Sequence, residues 1–138
     1  RPLLPQERHE SRRECLSLSH ERKLISIGKQ SFAFDSVFSV EASQEDVYEE
    51  AASPLVEGLG QGLNATLLAY GQTSAGKTYT LGSCHSAAIP EEHTGIIPRF
   101  VNALFRDLIY PRQEKAETCI RVSFLELHNE DINDLLDL

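Results

Sequence analysis

Gly71-Gln72-Thr73-Ser74-Ala75-Gly76-Lys77-Thr78 is the stretch on which the reading of this chain turns. It has the form G-x-x-x-x-G-K-[ST], and each fixed position has a physical reason. Gly71 and Gly76 reach backbone conformations closed to residues with a Cβ, so the loop can wrap an anion. Successive N–H groups then face the phosphates. The helix that follows brings its positive end to the same point. Lys77 reaches the outer phosphates, and the Thr78 hydroxyl suits a Mg²⁺ ion. At ordinary residue frequencies a chance match somewhere in the chain is expected at roughly 0.5%.

The residues on either side support a phosphate loop. Leu63-Asn64-Ala65-Thr66-Leu67-Leu68-Ala69-Tyr70 has apolar residues on both parities and runs straight into Gly71. That is the pattern of a central parallel strand buried on both faces of an α/β sheet. Upstream, Ser43 lies three residues before Asp46, an N-cap with an acidic first turn. Val47, Ala51, Leu55 and Leu59 follow at helical spacing, and Pro54 should kink or divide that helix. Phe32, Phe34 and Phe38 share one parity within Ser31–Phe38, which predicts a half-buried strand. Cys15–Leu18 and Lys23–Gly28 read as short strands.

Downstream, residues 82 to 94 read as a loop. Gly95-Ile96-Ile97-Pro98 opens a helix with proline in its tolerated first turn. Its apolar stripe is Ile97, Val101, Leu104, Phe105 and Leu108, and Tyr110-Pro111 ends it. Residues 120–127 read as another strand, and Asp131–Leu136 as a turn of helix.

Composition narrows the class. The chain has 138 residues, 41% hydrophobic and 25% charged, which is ordinary globular usage. The formal net charge of −8 argues against direct nucleic-acid binding and against gripping an acidic polymer or membrane surface. No apolar run approaches the roughly 20 residues that span a bilayer, so no membrane partner is expected. There is no cleavable apolar leader pattern. Cys15, Cys84 and Cys119 are odd in number and widely spaced, so a reducing compartment is expected rather than a disulfide framework. Cys84-His85 lacks further ligands at metal-binding spacing.

Hydrolysis needs an acid on a second strand and a group that positions water. Glu126 is the acidic residue after the loop that sits among strand-like apolar neighbours, and an ordinary exposed strand residue is the simpler account of it. No catalytic residue is assigned within the chain.

At this point the residues resemble the kinesin motor domain. Asn64 to Leu81 is similar to the family's buried strand ending in Ala-Tyr-Gly-Gln-Thr, with its loop and Gly-Lys-Thr. Phe34-Asp35-Ser36-Val37-Phe38, Gln44-Glu45-Asp46-Val47-Tyr48, Gly95-Ile96-Ile97-Pro98-Arg99 and Val122–Glu130 with Asp134-Leu135-Leu136 look like four further family blocks in order. Asn64-Ala65-Thr66 with Leu68-Ala69-Tyr70 leans toward the chromokinesin-type subgroup. The resemblance implies an α/β fold, a P-loop NTPase-like mixed sheet flanked by helices. Residues 1–138 would be a truncated motor domain, without the start of the first strand and without the family's two switch segments.

It implies an ATP and Mg²⁺ site at Gly71, Gln72, Thr73, Ser74, Ala75, Gly76, Lys77 and Thr78. Tyr79 becomes an adenine-side neighbour, and Arg1-Pro2 the end of the strand that packs on adenine. Ala75 stands where many kinesins have Ser, and Leu81 where many have Met. Neither change removes a main-chain N–H. The implied partner is the microtubule, through parts of the domain outside these residues. The implied location is the cytoplasm and cytoskeleton, with a coiled-coil dimer as the assembly open to the complete protein. Two other readings stay open on residues alone. One is a non-motor P-loop chain that binds nucleotide weakly or serves only as an interaction module. The other is an unrelated P-loop ATPase or GTPase, for which neither a Walker-B acid nor Asn-Lys-x-Asp is visible.

Overall fold

In the computed structural model, residues 15–82, 90–112 and 119–137 are described. Three short strands open them: β1 (Leu16–Ser19), β2 (Leu24–Ile27) and β3 (Gln30–Ala33). They form an antiparallel sheet in the order β1-β2-β3, with Leu18 opposite Ile25 and Ile25 opposite Phe32. The β2–β3 turn is two residues, and Gly28 takes φ 60° there, a value that suits glycine. β3 stops at Ala33. Phe32 and Phe34 are exposed, and the buried residue of this region is Val37. The expected half-buried strand through Phe38 is therefore shorter than its alternation indicates.

Helix α1 (Gln44–Ala51) starts at a complete capping box. The Asp46 N–H donates to the Ser43 hydroxyl oxygen at 3.0 Å, and the Ser43 N–H donates to the Asp46 carboxylate at 2.9 Å. Helix α2 (Ser53–Gly60) follows after a break at Ala52, with Pro54 in its first turn. The expected division at Pro54 is present, because proline has no N–H for the helical ladder. Helix α3 (Lys77–Leu81) follows the glycine-rich loop, and α4 (Ile96–Ala103) continues into a π-helical stretch, Leu104–Ile109.

The core lies among α1, α2 and α4: Tyr48, Ala52, Val56, Ile96 and Ala103, with Val47, Phe100 and Leu108 packed against it. The buried stripe is one residue later than expected on α1 and α2, running through Gln44, Tyr48, Ala52 and Val56. On α4 it is one residue earlier, with Ile96 buried while Ile97 and Val101 are exposed. Each of these helical stretches carries two adjacent candidate stripes, and the 3.6-residue period alone does not choose between them.

Residues 63–70 carry no ladder, and Leu68 and Tyr70 are 85% and 96% exposed. The expectation of a buried central strand is thus not met in this chain. A central strand needs a partner on each side, and among the described residues no segment pairs with it. The expected strand over residues 120–127 is confined to β4 (Leu125–His128), which pairs with β5 (Asp131–Asp134). The turn between them is Asn129-Glu130, with both φ angles positive, 48° and 74°. That is the dihedral requirement of a type I′ hairpin. The tight turn makes Asp131–Asp134 a strand instead of the expected helical turn.

Candidate nucleotide-binding loop

The loop follows Tyr70 and ends at α3. Gly71 has φ 154°, and a Cβ there would lie 3.2 Å from the Ala75 Cβ. Ser74 (φ 65°) and Gly76 (φ 103°) are both left-handed. Ser74 is a residue with a Cβ in a region that costs such residues about 1 kcal/mol or more. Backbone strain of this kind collects where a loop must present itself to a ligand. The two glycines are marked as special by their residue type, and Ser74 is not, because serine carries no conformational signal of this kind. The Ala75 N–H donates to the Gln72 carbonyl at 3.2 Å and tightens the loop. A left-handed Gly76 followed by helical Lys77 is the alternation that turns successive N–H groups into an anion-binding concavity.

Lys77 reaches back across the loop. Its ammonium donates to the Gly71 carbonyl at 2.7 Å and to the Gln72 carbonyl at 2.9 Å. Among the described residues it makes no ion pair, so its charge is open to an anion. These features fit a polyphosphate. Thr78 is exposed at the start of α3. A single hydroxyl cannot hold Mg²⁺ alone, so the ion would arrive with the phosphates that supply its other oxygens. Among the described residues no group of three or more His, Cys, Asp or Glu side chains could hold a metal ion.

α3 has only five residues and is held from outside. The Gln44 side-chain amide, on α1, donates to the Tyr79 carbonyl at 2.7 Å. At the far end Gly82 has φ 69° and abuts Gly95, the N-cap of α4. A Cβ on Gly95 would meet the Gly82 nitrogen at 2.5 Å and the Thr80 carbonyl oxygen at 2.7 Å. The Arg99 guanidinium donates to the Thr94 and Glu91 carbonyls, each at 3.0 Å, and fixes the entry to α4. The Gln44–Tyr79 bond and the Gly82–Gly95 approach carry no signal in spacing, since one joins residues 35 apart and the other depends on two backbones meeting.

The Tyr79 ring lies 6.4 Å from the His93 ring, tilted by 56°. Its residue also borders a small pocket formed with Phe38, Gln44 and Val47. Glu126 sits on β4, exposed, opposite Asn133. The structure gives it no contact that would mark it as a Mg²⁺ acid. Arg1 and Pro2, and the Cys84-His85 pair, lie outside the described residues. No helix among the described residues is long and apolar enough to cross a membrane.

The family model described as "Kinesin motor domain" matches residues 1–138. The kinesin-like protein KIN-4A of Arabidopsis thaliana is 45% identical over 139 residues, covering 99% of this chain and 13% of that protein. The chromosome-associated kinesin KIF4 of Xenopus laevis is 46% identical over 138 residues, covering 99% and 11%. The chain therefore spans about an eighth of the length of these relatives. The crystal structure of the Drosophila kinesin family member Kin10/NOD with divalent manganese and ADP superposes with a TM-score of 0.78. The two are 35% identical, over 88% of this chain and 43% of that one. NOD docked with bovine tubulin into a map of the nucleotide-free NOD–microtubule complex gives a TM-score of 0.79 at 36% identity, over 88% and 43%.

Proposed function

Because this chain belongs to the kinesin motor-domain family, we propose that it supplies the ATP-binding part of a microtubule motor. The single observation that carries this is the loop at Gly71–Thr78. Ser74 and Gly76 are left-handed, and the Lys77 ammonium lies across the loop on the Gly71 and Gln72 carbonyls with no acidic partner among the described residues. In this role Gly71 to Gly76 surround the phosphates with main-chain N–H groups, and Lys77 neutralises the outer phosphates. The Thr78 hydroxyl contributes one oxygen to Mg²⁺, and the bound ion would supply further charge neutralisation on the phosphates. Tyr79 borders the base side, with Arg1 and Pro2. The relatives support this: NOD is described with ADP and a divalent metal, and on the microtubule.

Residues 1–138 are read as one portion of the motor domain. The groups that position the attacking water, and the track-binding surface, belong to other portions. We place the protein on microtubules in the cytoplasm, in an assembly that dimerises through a coiled coil.

The test uses the full-length protein. Microtubules should raise its ATP turnover, and Lys77→Ala should weaken Mg·ATP binding roughly tenfold to a hundredfold, the range for losing charge-assisted hydrogen bonds. Unchanged nucleotide affinity in Lys77→Ala would exclude this site. Nucleotide binding without any microtubule response would favour a non-motor P-loop protein.

A further inference from the structure

We infer that Gln44 is a positioning residue for the nucleotide site: it holds the short helix behind the phosphate loop in place, and so aims Lys77 and Thr78. The inference rests on the nucleotide-site reading given above.

Gln44 is a polar residue only 3% exposed. A buried amide is costly unless it is hydrogen-bonded. Its partner is the Tyr79 carbonyl, 35 residues away in sequence. That carbonyl needs an outside donor. In a helix the last four carbonyls have no intrahelical partner, and α3 has only five residues. At its two ends the Thr80 N–H donates to the Gly76 carbonyl at 2.9 Å and the Gly82 N–H to the Thr78 carbonyl at 2.8 Å. Helices this short do not persist by themselves.

Gln44 is in turn fixed. It is the first residue of α1, next to the Ser43–Asp46 capping box, and Tyr48 one turn later lies in the core. A rigid line therefore runs from the core through α1 and Gln44 to Tyr79. Tyr79 directly follows Thr78, and Lys77 precedes that. If the bond is lost, α3 loses its side-chain hydrogen bond to α1 and keeps its loop, the Tyr79–His93 ring contact and the Gly82–Gly95 contact among the described residues.

The test compares wild type, Gln44→Met, Gln44→Asn and Lys77→Ala in the full-length protein. Gln44→Met keeps the volume without the donor, and Gln44→Asn keeps the amide one methylene short. Binding of a fluorescent ADP analogue is titrated at fixed and at varied Mg²⁺, well below the melting temperature. Both Gln44 variants should weaken binding about tenfold, the upper end for one hydrogen bond. Both should also raise the Mg²⁺ concentration needed for half-maximal binding. If Gln44→Met or Gln44→Asn lowers the melting temperature but leaves both titrations unchanged, Gln44 is structural only and the inference is overturned. Should Gln44→Met fail to fold, Gln44→Asn decides alone. If Lys77→Ala binds like wild type, the site reading itself fails. If Lys77→Ala weakens binding and the Gln44 variants do not, only the positioning role is lost.

Discussion

Asp46 carries the pH sensitivity that can be argued residue by residue. Hydrogen bonds from the Ser43 hydroxyl and the Ser43 backbone N–H hold its carboxyl below the usual carboxylate range. A depressed folded-state value means the stabilisation is present above the unfolded value near about pH 4 and is lost as pH falls through the lowered value. Asp46→Asn should therefore flatten the acid limb of the unfolding profile while leaving stability near neutrality only modestly changed. The measurement is denaturant midpoint against pH, and an acid limb unaltered by the substitution would exclude this role. Ser43 and Asp46 were readable as a cap from their spacing alone, because capping is a local interaction over three residues. Ser74 was not, because its left-handed conformation is imposed by the loop around it.

The contact between α3 and α4 belongs to the element scale. Gly82 and Gly95 bring two backbones together with no room for a side chain between them. The atoms that an added methyl would meet are main-chain atoms, which cannot rotate away. Gly95→Ala should cost about 1–3 kcal/mol, the usual range for overpacking, and should weaken nucleotide binding because α3 shifts with it. Denaturant unfolding and nucleotide titration check the two halves of this expectation. A variant with wild-type stability would show that the helices can separate freely. Element identity was legible for all of the helices that form the core, since periodicity and the Pro54 break are local signals. Their buried faces were off by one position. Two adjacent candidate stripes share a helix, and only the neighbour decides which one is covered.

At the scale of the whole chain, exposed apolar surface dominates. Leu68, Tyr70, Val122, Leu125, Leu127 and Ile132 are each more than 60% exposed. Exposed apolar side chains such as these, some of them on the β4–β5 hairpin, associate readily. The 138-residue chain by itself should therefore unfold over a broad range without a sharp calorimetric peak, and should show no microtubule-stimulated ATP turnover. A single cooperative transition, or stimulated turnover, would contradict this.

The phosphate loop, the capped helix and the kinesin motif blocks were determined by sequence alone, because each depends on residues within a few positions of one another. The fold class was legible through the same blocks, and the superposition on NOD bears it out. Which helix faces are buried, and how α3 is held by Gln44 and by the Gly82–Gly95 contact, only the tertiary structure decided. The same is true of the fate of Leu63–Tyr70, whose pattern fits a central strand but which finds no ladder partner among the described residues. Burial and long-range hydrogen bonding depend on what lies opposite, and a sequence read along its length does not contain that.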